Sequence, residues 1–86
     1  MNPLENTIAS FLIEKSRGKC QKLGVEENID ENFSFTGSGV FDSMDFIDLI
    51  SQVEKKFNIE IDFSDYEPND FSTIKGFAHC AVLTII

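Results

Sequence analysis

A strong helical pattern of apolar and polar residues lies between residues 42 and 57. Placing successive residues 100° apart puts one set of apolar side chains on a single helical face. These side chains are Phe46, Leu49, Ile50, Val53 and Phe57. Asp42 suits an N-cap, because its carboxylate can accept from the unpaired N–H groups of a first helical turn. The pattern therefore predicts an amphipathic helix from Ser43 to about Phe57.

The polar face of this predicted helix contains apolar residues. Met44 lies on it, beside Asp45 and Asp48, and Ile47 lies at its edge. Single exposed apolar residues are common on protein surfaces and need no explanation. An apolar side chain among carboxylates also suits a contact surface. The residues alone leave both interpretations open.

A first amphipathic helix is predicted from about Pro3. It rests on the helical spacing of Leu4, Ile8, Phe11 and Leu12. Gly18 is a candidate stop signal, and the basic residues from Lys15 onward would suit the negative end of the helix dipole. We therefore predict that the helix ends near Arg17. The alternative is a helix that continues through Gly18 to about Lys22, at a cost of about 1 kcal/mol.

Residues 24–41 have little helical pattern and form a predicted long loop between the first two helices. A loop of this length in a small domain needs something to hold it. We expect apolar side chains to pin it across the helices. The candidates are Ile29, Phe33, Phe35, Val40 and Phe41.

The segment 58–70 alternates Ile59, Ile61 and Phe63 with polar residues, which would also suit a strand. A single strand would leave its backbone groups without partners, so we predict a linker with partly buried apolar residues instead. One short helical turn is predicted near Ser64–Glu67, stopped by Pro68.

A last amphipathic helix is predicted after Ser72, the candidate cap. Its apolar stripe consists of Ile74, Phe77, Ala78, Ala81, Val82 and Ile85. The predicted fold class is therefore all-α, a small four-helix bundle. It has three main helices, one short helix and a long loop between helices I and II. At 86 residues, the chain is expected to form one domain over residues 1–86.

Charge and composition restrict the function. The formal net charge is −8. The resulting negative electrostatic field repels phosphate backbones and favours partners with basic patches.

No apolar run is long enough to span a bilayer, and the first residues lack the layout of a signal peptide. Cys20 and Cys80 have no metal-ligand spacing, so we expect reduced thiols in a cytoplasmic protein. The single histidine, His79, and the absence of a G-x-S-x-G elbow argue against a catalytic serine, and no catalytic or metal site is predicted.

The residues DSMDFIDLISQVEKKFNIEI, at positions 42–61, resemble the acyl and peptidyl carrier-protein family. The signature of that family is D-S-[LM] opening a long acidic helix, and the resemblance covers about residues 23–80. It implies that Ser43 carries 4′-phosphopantetheine, whose thiol holds an acyl or aminoacyl group as a thioester. It also implies that Asp42 helps to hold the serine for the transferase that supplies this group from coenzyme A.

The resemblance implies partners as well. A phosphopantetheinyl transferase and basic loading and transfer enzymes would dock on helix II, with Met44, Asp45, Ile47 and Asp48 as the expected contacts. A monomeric carrier without catalytic activity of its own is expected. Lys55 and Lys56 depart from the uniformly acidic helix of the fatty-acid type, so fatty acyl, aminoacyl, D-alanyl and peptidyl cargo all stay open. The alternative outside the family is an acidic helical adaptor that is never modified.

Overall fold

The chain forms four α-helices in a computed structural model that describes residues 3–25, 28–35, 37 and 39–84. The helices are α1 (Pro3–Leu23), α2 (Ser43–Phe57), α3 (Pro68–Phe71) and α4 (Ile74–Leu83). Among the described residues there is no strand, only an isolated bridge between Ser34 and Thr73. The predicted all-α bundle of three main helices and one short helix is therefore confirmed. Ile85, which was predicted to continue the stripe of the last helix, lies outside the described residues.

Helix α1 is longer than the predicted end near Arg17, and that prediction was wrong. It continues through Gly18 to Leu23 because the face that carries Leu12 and Cys20 is buried in the core. Burial of that face outweighs the cost of about 1 kcal/mol for a glycine inside a helix.

The end of α1 is set by Gly24, which has a positive φ of 69°. The Val25 N–H donates to the Cys20 carbonyl at 2.9 Å, and the Gly24 N–H donates to Gln21 at 3.2 Å. This pair of bonds is a Schellman motif, in which a residue without a side chain adopts the left-handed conformation.

The predicted bounds of α2 are confirmed. Leu49 and Val53 are buried, while Phe46, Ile50 and Phe57 are partly buried against the core. Asn58 ends the helix in the left-handed conformation, with φ 55° and ψ 50°. Asparagine tolerates this conformation better than other non-glycine residues do.

The short helix α3 begins where the sequence pattern predicted a stop. Ser64–Glu67 form no helix, and Pro68 is the first helical residue rather than the terminator. Proline suits that position because its missing N–H would have no helical partner there and its φ is already helical. The Glu67 N–H donates to the Asp70 carboxylate at 3.0 Å, which closes the first turn.

Helix α4 begins at Ile74, one residue later than predicted. Thr73, not Ser72, is the N-cap, and its hydroxyl accepts from the Gly76 N–H at 3.0 Å. A Cβ at Gly76 would collide with the Asp70 carbonyl. Gly76 therefore allows α3 to pack directly on α4, which compensates for its low helix propensity.

The long loop before α2 is held by the buried side chains that the pattern predicted. Ile29, Phe33, Phe35, Val40 and Phe41 are all buried. Its backbone is held as well, since the carbonyls of Phe33 and Glu31 accept from the first amides of α4, at 3.1 and 2.8 Å. The loop thereby satisfies N–H groups that a helix start leaves unpaired.

Phe35 lies at the centre of the aromatic core and is completely buried. Its ring contacts the rings of Phe33, Phe41, Phe46 and Phe77, with centroid distances of 5.3–6.1 Å. Its backbone N–H donates to the Ser72 carbonyl at 2.8 Å. One residue thus joins the loop, α2 and α4.

Replacing Phe35 by alanine should lower the free energy of unfolding by about 3–5 kcal/mol, because truncating a buried aromatic ring removes contacts and leaves a cavity. Urea denaturation followed by circular dichroism measures the change. Phe57→Ala is the matched control, since Phe57 is partly buried and its ring contact is with Phe11. Equal losses in the two variants would contradict the central position of Phe35.

Candidate functional site

Ser43 lies at the exposed start of α2, as the sequence pattern predicted. It is the first helical residue, directly after the N-cap Asp42, and its side chain is exposed. Val40 and Phe41, buried just before it, hold the incoming chain against the core. Gly39, with φ 75°, makes the preceding turn. The serine is therefore solvent-accessible but fixed in position.

The first turn of α2 is closed by a reciprocal capping box. The Asp45 N–H donates to Asp42 Oδ1 at 2.8 Å, and the Asp42 N–H donates to Asp45 Oδ2 at 3.3 Å. Two helix-terminal donors are satisfied by two carboxylates, one on each side of Ser43. The cap predicted at Asp42 is confirmed, and Asp45 has a structural role that the sequence pattern did not assign to it.

An open groove of about 520 Å³ lies beside Ser43. This volume is within the range of small-molecule sites. Its apolar surface comes from aromatic and aliphatic side chains of α2, α3 and the loop. The lining residues are Phe41, Asp42, Ser43, Phe46, Ile47, Pro68, Asn69, Phe71 and Ser72. An attached flexible group could lie along this groove or leave it for solvent.

Asp45 also forms an ion pair with α1. Lys19 Nζ lies 3.1 Å from Asp45 Oδ2. The hydrogen bond from Lys19, followed by that from the Asp42 backbone, holds the pKa of Asp45 below its usual value. These contacts therefore stabilise the fold above the unfolded-state pKa of about 3.9, and the stabilisation is lost as the pH falls through the lower folded-state pKa.

The four predicted docking residues differ in how exposed they are. Met44 and Ile47 are large apolar side chains close to Ser43 in sequence, and they are 74% and 59% exposed. Asp48 is exposed and accepts from the Gln52 side chain at 2.6 Å. Asp45 is partly covered by Lys19. Met44, Ile47 and Asp48 therefore present the accessible part of this helix face.

The His79 ring contacts the Glu5 carboxylate at 3.1 Å. Within the described residues, no group of three or more potential ligands could hold a metal ion.

Cys20 and Cys80 are buried and form no disulfide, and burial raises the pKa of the Cys80 thiol. No helix in the described part of the chain is long and apolar enough to cross a membrane.

Two contributions to the site were not predicted from the sequence. Lys19 reaches it from α1, and Phe71 and Pro68 reach it from α3. A local pattern cannot reveal such contacts, because they depend on how separate helices pack. The cluster of basic residues at the end of α1 was the available signal for Lys19.

Comparison with known proteins places these features in a family. The model of the family described as "Phosphopantetheine attachment site" matches residues 20–81. Among curated proteins, the acyl carrier protein of Chlamydia caviae is 37% identical over 65 residues, which covers 74% of this chain and 75% of that protein. No solved structure gives a significant match.

Replacing Asp42 by alanine should lower the free energy of unfolding by about 1 kcal/mol, because the Asp45 N–H loses its acceptor. Asp42→Asn should have a much smaller effect, since asparagine caps helices about as well as aspartate does. Thermal and urea denaturation measure both changes.

The control for charge is Asp48→Ala, which removes a carboxylate from the same helix without touching the cap. The loss of an i, i+4 contact with Gln52 should cost less than about 0.5 kcal/mol. A cost for Asp42→Asn as large as that for Asp42→Ala would show that the capping bond is not the source of the stability.

Proposed function

The chain belongs to the acyl carrier protein family, and we propose that Ser43 is its attachment site for 4′-phosphopantetheine. The observation that carries this proposal is the exposed serine at the tip of α2 beside an open groove. In the modification, the Ser43 hydroxyl displaces the nucleotide part of coenzyme A, forms a phosphodiester and loses its proton to the transferase. The attached group supplies the thiol on which acyl or aminoacyl intermediates are held as thioesters.

The residues around Ser43 fit this group. An anionic phosphodiester at a helix N-terminus gains from the aligned backbone N–H groups. Asp42 opposes this gain, because its carboxylate is adjacent and stays within the capping box. Exposure is therefore the more important property of the site, since it lets the arm reach other proteins.

We assign docking to the exposed face of α2 next to Ser43. Met44 and Ile47 offer apolar contact, and Asp48 offers a carboxylate to a basic partner. Apolar contacts with a surrounding charge suit partners that must bind and then leave. The partners are a phosphopantetheinyl transferase and the enzymes that load, modify and unload the thioester, and this chain performs none of those reactions. Its two reduced thiols suit a cytoplasmic setting.

We propose further that the cargo is a short acyl or aminoacyl group that stays outside the core. Phe77 is fully buried and contacts Phe35, Phe46 and Phe63. Phe71, which lines the groove, stacks on Phe63 at a centroid distance of 4.4 Å. A chain that entered would have to displace packed rings, and overpacked cores resist such insertion.

Incubation with coenzyme A and a promiscuous phosphopantetheinyl transferase should add the mass of one phosphopantetheine to the protein. Peptide mapping should place the addition on Ser43, and Ser43→Ala should abolish it. Intact-protein mass spectrometry measures both results.

Ser51→Ala, on the polar face of the same helix, is the matched control and should be modified like the wild type. An unmodified wild type, or an adduct that survives Ser43→Ala, would refute the proposed attachment site. An unmodified protein that still binds a basic partner through Asp48 would favour the acidic adaptor instead.

The position of the cargo can be tested by comparing holo-protein charged with acetyl and with a long saturated acyl group. We expect the free energies of unfolding to differ by less than about 1 kcal/mol, whereas each buried methylene would add about 0.8 kcal/mol. Phe46→Ala should make room inside, so that the long chain then stabilises the variant more than acetyl does. Strong stabilisation of the wild type by the long chain would contradict the proposal.

A further inference from the structure

An ion pair connects α1 to the helix face that we assign to docking. Lys19 Nζ lies 3.1 Å from Asp45 Oδ2, and the same ammonium lies 5.5 Å from the centroid of the Phe41 ring. The side chains of Lys19 and Asp45 are 26% and 39% exposed, so the ion pair lies at the surface. The ammonium is therefore held by a carboxylate and an aromatic face together.

This ion pair crosses a groove of about 500 Å³ between α1 and α2. The α1 wall carries three lysines and one carboxylate, and the α2 wall carries the carboxylates of Asp45 and Asp48. The α1 residues are Lys15, Lys19, Lys22 and Glu14. The net charge of the α1 wall is positive and that of the α2 wall is negative, and Lys19 pairs across them with Asp45. The basic residues of α1 thus partly neutralise the acidic face of α2.

We propose that Lys19 is an internal competitor for partner docking, because it occupies the carboxylate of Asp45 that a basic partner would otherwise contact. This inference rests on the proposed function, which assigns docking to α2. A partner that brings a lysine or arginine to this face must displace Lys19 or bind around it. Asp48 is then the more accessible acidic contact, and Asp45 becomes fully available when Lys19 moves away.

The strength of the pair suits such a competition. Exposed ion pairs are weak because solvent and salt screen them. An arginine from a partner has the advantage of a planar guanidinium that can bind a carboxylate through two hydrogen bonds. Lys19 therefore reduces docking without preventing it, and it discriminates against partners that bring too little positive charge.

The test is the rate at which a promiscuous phosphopantetheinyl transferase modifies the full chain with coenzyme A. Lys19→Met keeps the aliphatic stem over Phe41 and removes the charge. We expect this variant to raise kcat/KM for the protein substrate about two- to fivefold at low salt, the range that a weak surface pair allows. The change should lie mainly in KM, and it should shrink as salt is added.

Two variants with the same change in net charge serve as controls. Lys22→Met removes a basic residue of the same groove, and Lys55→Met removes one about 15 Å further along α2, too far to pair with the Asp45 carboxylate. We expect both to change kcat/KM by less than about 1.5-fold, since neither lysine pairs with Asp45. Circular dichroism checks that each variant is folded.

A double variant tests the pairing itself. In an Asp45→Asn background, Lys19→Met should no longer raise kcat/KM, because the carboxylate that it would release is gone. Two results would overturn the inference but leave the proposed attachment site intact. One is an equal change in kcat/KM for Lys19→Met and either control, and the other is a Lys19→Met effect that persists in the Asp45→Asn background. If neither the wild type nor any variant is modified, the proposed function and this inference are both overturned.

Discussion

The structure depends on the attachment of the long loop to the bundle through Phe35. The ring is completely buried among four other aromatic rings, and the backbone N–H of the same residue is bonded to the Ser72 carbonyl. Fixing this point determines where the following residues run, so that Val40 and Phe41 reach the core and Asp42 caps α2. The exposed position of Ser43 is a consequence of burial elsewhere in the loop.

The loop and α4 stabilise each other. The first backbone N–H groups of α4 donate hydrogen bonds to loop carbonyls. The glycine at position 76 lets α3 pack against the same end of the helix. A ten-residue helix that contains a glycine would be marginal alone. Likewise, a loop without secondary structure would leave its polar backbone unsatisfied if it were buried alone. Their mutual hydrogen bonds explain how so small a domain tolerates a long irregular segment.

Features encoded by neighbouring residues were predicted well. The capped amphipathic helix α2, the stripe of α4 and the anchoring side chains of the loop all depend on local periodicity or burial. The end of α1 and the start of α3 were missed because Gly18 and Pro68 are ambiguous signals. A glycine does not stop a helix whose flanking residues are buried, and a proline can begin a helix as well as end one.

The candidate site divides in the same way. The helix-start positions of Asp42 and Ser43 were predictable from neighbouring residues, and the role of Ser43 was implied by the family resemblance. The contact between Lys19 and Asp45 was not, because it depends on the approach of α1 to α2. The family resemblance implied that Asp45 contacts partners, whereas the folded chain already uses it in the capping box and in the ion pair. Acidic residues on one helix face therefore cannot be treated as equivalent, since the fold has committed some of them before any partner arrives.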